Sequence, residues 1–137
     1  MTDTLLASAI SHWAPRFLAN GVTFTDFIEV TGALKSWNEW CGAWSARAAI
    51  HEAIGRTALA GGKHLSAGEH LQRAGVYYHF AKFLFVHDAA AMKAAHTKAV
   101  ACRELALPHL VPPGERVAIP FDGTLLHGIL RKPPGSA

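Results

Sequence analysis

What most constrains this chain is a late change of texture. After a long stretch patterned for helices, LVPPGERVAIPFDGTLLHGILRKPPGSA reads as two strands and nothing further. Arg116 to Phe121 suits a strand, Asp122-Gly123 suits a tight turn, and Thr124 to Arg131 suits the returning partner. A lone two-stranded sheet is marginal in water and leaves rows of backbone donors and acceptors unpaired. Either the hairpin folds over the helical body, or it opens a larger sheet that these 137 residues do not contain. The chain therefore divides into a helical region, 1–111, and a linker with hairpin, 112–137, introduced by Pro112-Pro113-Gly114.

The helical region carries its own punctuation. TLLASAISHWAPRFLANG places Leu5, Ile10, Trp13 and Phe17 at helical spacing, with Asn20-Gly21 as the stop. Pro15 should bend or split this helix, because it removes a donor and crowds the preceding turn. A short helix is expected around Asp26 to Val30. SWNE at Ser36 to Glu39 and SAGE at Ser66 to Glu69 both have the form of a capping box, in which a hydroxyl and a glutamate satisfy each other's backbone amides. The first launches a stripe of Trp37, Trp40 or Cys41, Trp44, Ala48 and His51, running to Ala60. The second launches Leu71 to His87, apolar on nearly every side and so expected at the centre of its domain. Asp88 caps a neighbouring helix, Ala89 to Leu107.

Composition narrows the class. Half the residues are apolar and 17% are charged, which describes a folded body rather than a disordered tail. The net charge of +3 is scattered, with no Lys/Arg block to form a phosphate footprint, so no nucleic-acid partner is expected. No apolar run reaches the roughly 18 residues of a membrane span, and MTDTLLASAI carries an acid where a signal peptide would be basic. Cys41 and Cys102 lie far apart in helical stretches, against a disulfide scaffold. A cytoplasmic protein without membrane contact is the expectation.

The order and wording of these segments resemble a known family. GEHLQRAGVYYHFAKFLFVHD and MKAAHTKAVACRELALPHLVPPGERVAIPFDGTLLHGILRKP are similar to the N-terminal helical region and first hairpin of an α/β-hydrolase family that includes 2,6-dihydroxypseudooxynicotine hydrolase. WAPRFLANGV and WNEWCGAWSARAAIHEAIGRTALAGG look like its preceding helices. The resemblance implies a mainly α chain: a multi-helix N-terminal or cap region, then a C-terminal β-hairpin that begins the hydrolase sheet, together a truncated portion of the enzyme. It further implies that the complete enzyme cleaves carbon-carbon bonds in ketone-bearing side chains, or ester-type bonds, through a Ser-Asp-His triad with no metal or organic cofactor. The implied partners are the missing catalytic domain or a second copy of the chain, and a small-molecule substrate only in the complete enzyme.

The chemistry itself is not written here. An α/β-hydrolase nucleophile sits in G-x-S-x-G on a strand-to-helix turn, and the sequence has no such motif. Ser8, Ser11, Ser36, Ser45 and Ser66 fall in helices or helix starts, so no catalytic residue is assigned. His51-Glu52 is not H-E-x-x-H, since Gly55 holds the later position, and His79, His87 and His96 lack the spacing of a metal site. Gly61-Gly62-Lys63 is not a phosphate loop. Within AGVYYHFAKFLFVHD, Tyr78 and His79 are the substrate-pocket candidates, because each joins apolar surface to a hydrogen-bonding tip. The competing reading of the same helix is that Tyr77 or Tyr78 bonds within the helical core while Phe80, Phe83 and Phe85 pack there; a separate alternative for the whole chain is a stand-alone small helical module that binds another protein through its aromatic face.

Overall fold

A computed structural model of the chain describes residues 3–135. The molecule is mainly α: α1 Thr4–Ala19, α2 Phe24–Ala33, α3 Trp40–Ala60, α4 His64–Lys82 and α5 Ala89–Ala106, followed by a two-stranded antiparallel hairpin, β1 Gly114–Phe121 and β2 Thr124–Arg131. Single 3-10 turns at Trp37–Glu39 and Leu107–His109 lead into α3 and out of α5.

α4 is the central element, packed along α3 on one side and α5 on the other. Small residues make this possible. Ala67, Gly68, Ala74, Gly75 and Ala81 are all buried, so neighbouring backbones approach α4 closely. A Cβ at Gly75 would lie 3.3 Å from the Ala99 carbonyl oxygen, and one at Gly68 only 2.5 Å from that of His109. The large side chains gather at one end. Phe17 stacks on Phe80 with centroids 3.8 Å apart and meets Phe27, Trp40 and Trp44 edge-on. Trp40 donates from Nε1 to the Phe80 carbonyl at 3.0 Å. Aromatic pairs of this kind add about 0.5–1.5 kcal/mol each beyond the area they bury.

Several element ends differ from those the sequence suggests. α1 runs through Pro15 without splitting. The lost donor is at an exposed position, while Leu6, Ala9 and Phe17 hold the opposite face in the core. The short second helix spans Phe24–Ala33, capped by Thr23, whose hydroxyl accepts the Asp26 amide. Neither capping box closes. Ser36 makes no side-chain cap bond, and Glu39 accepts the Lys35 amide instead. The amide of Trp37 is taken by Asp3, which also caps α1 through Leu5 and Leu6. SAGE lies inside α4, which starts at His64.

The central helix also ends at Lys82 rather than His87, and the reason is packing. Phe83 turns extended to set its ring edge-on against Trp13, under the Arg16 guanidinium. Leu84 takes a left-handed φ of 62°, which sends Phe85 back into the core beside Trp37. Asp88 then caps α5 as expected, accepting the Ala91 amide at 2.9 Å.

In the hairpin, Asp122 and Gly123 both have positive φ, 43° and 74°, the two-residue turn whose twist matches that of its strands. Cross-strand partners share a face. Arg116 and Ile129, and Ala118 and His127, lie on the side of the helices. Ile119 and Leu126 pair on the other side, with Phe121 beyond them, and all three are half or more exposed. The base of the hairpin is anchored by Arg131, which donates twice to the Pro112 carbonyl, and by an ion pair from Arg116 to Glu104.

Candidate functional site

Where α4 and α5 meet the inner face of the hairpin, an open cleft of about 570 Å³ remains. Helical spacing sets its walls: Gln72, Val76 and His79 project from successive turns of α4, and His96, Val100 and Arg103 do the same from α5. Arg116, His127 and Ile129 close the third side. The floor is apolar, with Phe80 and Leu107 beneath, and the rim is cationic. His79 lines this cleft. Its imidazole is held below the ordinary range by burial first, and then by Lys82, Arg16 and His96, all of them cationic or potentially so.

Tyr78 projects the other way. Its hydroxyl donates to Glu52 Oε2 on α3 at 2.9 Å and accepts from Lys98 Nζ at 3.3 Å, and the residue is fully buried. Burial and then the Glu52 carboxylate push its pKa up, so it stays a phenol. Burial acts to raise Glu52 too, but hydrogen bonds from Tyr78 and Arg56 outweigh it and keep the carboxylate ionised. Beside this group Cys102 is buried, its thiol pushed up to about 11 chiefly by desolvation. Cys41 is likewise raised by burial. Neither is an activated nucleophile.

A second polar cluster lies inside the helical body, assembled from residues far apart in the sequence. Asp26 on α2 accepts from the Tyr77 hydroxyl at 2.5 Å through Oδ2, pairs with His51 Nε2 at 3.1 Å through the same oxygen, and takes Arg47 Nη1 at 3.0 Å through Oδ1. The far nitrogen of His51, Nδ1, meets His70 Nδ1 at 3.2 Å. With both histidines neutral, one proton arrangement satisfies every contact. Asp26 is ionised, His51 donates from Nε2 and accepts at Nδ1, and His70 donates from its own Nδ1. Burial acts to raise the Asp26 pKa, but the bonds from Tyr77, His51 and Thr23 outweigh it and hold the carboxyl below its usual value. His51 is kept neutral by burial against the pull of that carboxylate.

This carboxylate and imidazole supply two parts of a hydrolytic relay without the third. The nitrogen that would take a proton from a serine faces another histidine. Asp26, His51 and His70 are separated by 25 and 19 positions, so only a polar residue ending the tryptophan stripe, His51, hinted that something faced it. Among the described residues, no group of three or more His, Cys, Asp or Glu side chains could hold a metal ion. No helix of the described residues is long and apolar enough to cross a membrane.

Comparison with known proteins adds one informative likeness. No family model and no curated protein matches the chain. Among solved structures, the crystal structure of the 2,6-dihydroxy-pseudo-oxynicotine hydrolase matches with a TM-score of 0.76 and 28% identity, over 89% of this chain and 34% of that one. The chain thus spans about a third of the length of that solved structure. Over its helical region and hairpin, this protein is similar to part of an α/β-hydrolase fold.

Proposed function

We propose that this chain is the N-terminal portion of a serine-type α/β-hydrolase acting on carbon-carbon or ester-type bonds, with the helical body packing on the catalytic domain and shaping its substrate pocket. The observation that carries this reading is the likeness to one part of a hydrolase structure about three times as long, across helices and hairpin together. Two features support it. The hairpin has both edges unpaired among the described residues and an exposed apolar outer face, as a sheet awaiting further strands would. The sequence holds no G-x-S-x-G, and acyl transfer needs both an activated nucleophile and oxyanion donors. His79, at the cleft, is the pocket residue of this reading; Tyr78 backs it by fixing α4 against Glu52. Separated from its catalytic domain, the chain is inactive and associates with itself through the hairpin.

The helical body with its completed aromatic core favours a second reading, a self-sufficient interaction module. Two observations separate them. The pure chain should leave p-nitrophenyl acetate and an aryl β-diketone uncleaved above the buffer rate, and the coding sequence downstream of residue 137 should encode G-x-S-x-G followed by an acid and a histidine. Turnover by the chain alone would overturn its inactivity. A downstream region without that segment would favour the module.

A further inference from the structure

The cleft holds an imbalance of charge that the molecule does not resolve. Three permanent cations line it, Lys82, Arg103 and Arg116, against one acid, Glu104. Glu104 is already committed to Arg116, with Oε1 and Nη1 2.5 Å apart. That leaves the half-buried side chains of Arg103 and Lys82 without an ion pair among the described residues. Gln72 stands one turn from Gly75, which packs against Arg103, and its side-chain oxygen is buried with no hydrogen-bond partner. A partly desolvated guanidinium without an acceptor is costly, and its planar fork fits a carboxylate with two parallel hydrogen bonds.

The rest of the lining says what should be attached to that carboxylate. Val76, Phe80, Val100, Leu107 and Ile129 form an apolar surface beside the cationic rim. The volume of about 570 Å³ falls within the roughly 300–1,000 Å³ of small-molecule sites. A bare inorganic anion would leave these walls wet. A phosphate ester would find no glycine-rich loop of backbone amides. We infer that the cleft between α4, α5 and the hairpin is a binding site for an organic carboxylate with an apolar body, its acid group on Arg103 and its body against Val76, Val100 and Ile129. Such binding needs only the cleft and does not depend on whether a catalytic domain completes the chain.

The test uses the 137-residue chain and 4-phenylbutyrate, with 4-phenyl-1-butanol and inorganic phosphate as comparison ligands, followed by calorimetry and by amide shifts in ¹H–¹⁵N spectra. The carboxylate should bind about ten-fold or more tighter than the alcohol, the range expected for a charge-assisted hydrogen bond. Shifts should centre on His79, Val100, Arg103 and Ile129. Arg103→Gln should erase the advantage of the acid over the alcohol, and Arg103→Lys should restore part of it. Because the Arg103 side chain makes no hydrogen bond or ion pair among the described residues, both variants should keep the parent melting temperature. The inference is overturned if the alcohol binds as tightly as the acid, if Arg103→Gln leaves the difference intact, if phosphate alone binds as well, or if no ligand saturates.

Discussion

Asp26 brings a carboxylate into the helical body, and Tyr77, His51 and Arg47 answer it from two other helices. A buried charge pair contributes less than its Coulomb energy suggests, yet breaking one leaves a partner stranded. The consequence is a specific response to acid. His51 has a folded pKa below its ordinary 6.5, so the unfolded chain takes up a proton there that the folded chain refuses, and stability falls as pH drops below that value. Asp26, also lowered, adds a second loss below 3.8 for the same reason of sign. The charge of Arg73 and the neighbouring His70 oppose any added positive charge on His51, while Arg47 pairs with Asp26. The melting temperature should therefore decline on acidification from about pH 7.5 to about pH 5, and His51→Gln should flatten that decline. A melting temperature constant over that interval in the parent chain would show that His51 is not held neutral.

At the scale of elements, the packing of α4 sets the tolerances. A methyl at Gly68 would meet the His109 carbonyl, which is backbone and cannot swing aside, so Gly68→Ala should cost about 1–3 kcal/mol in urea unfolding. Gly42, exposed on α3 with nothing within 4 Å of a added Cβ, gives the opposite sign: Gly42→Ala should stabilise by about 0.5–1 kcal/mol. Equal effects at the two sites would contradict close packing at α4. The same contrast explains what could be read from sequence. The five helices and the hairpin turn follow from periodicity, Asn20-Gly21, Asp88 and Asp122-Gly123, all local signals. The end of α4 is not local, because it is decided by Phe83 and Phe85 finding Trp13 and Trp37 at distant positions. Likewise SAGE has the letters of a cap, but α4 already begins two residues earlier. Mixed apolar and polar character marks Tyr78 and His79 alike in the sequence, but the orientation of Tyr78 toward Glu52, and the meeting of Asp26, His51 and His70, depend on how α2, α3 and α4 are set together.

The whole molecule pairs a helical body that has its own core with a two-stranded hairpin. Phe17, Trp40, Trp44, Tyr77 and Phe80 are essentially inaccessible to solvent, so the helices have a core of their own. The hairpin has none. Ile119, Phe121 and Leu126 remain 55%, 62% and 50% exposed on its outer face, beside unpaired strand edges. A surface of that kind is suited to further strands and, without them, to another copy of itself. Sedimentation velocity of the pure chain over a range of micromolar concentrations tests this most directly. The sedimentation coefficient should rise with concentration, and should return to the monomer value on replacing the cross-strand pair by Ile119→Lys and Leu126→Lys. A compact monomer at every concentration would contradict it.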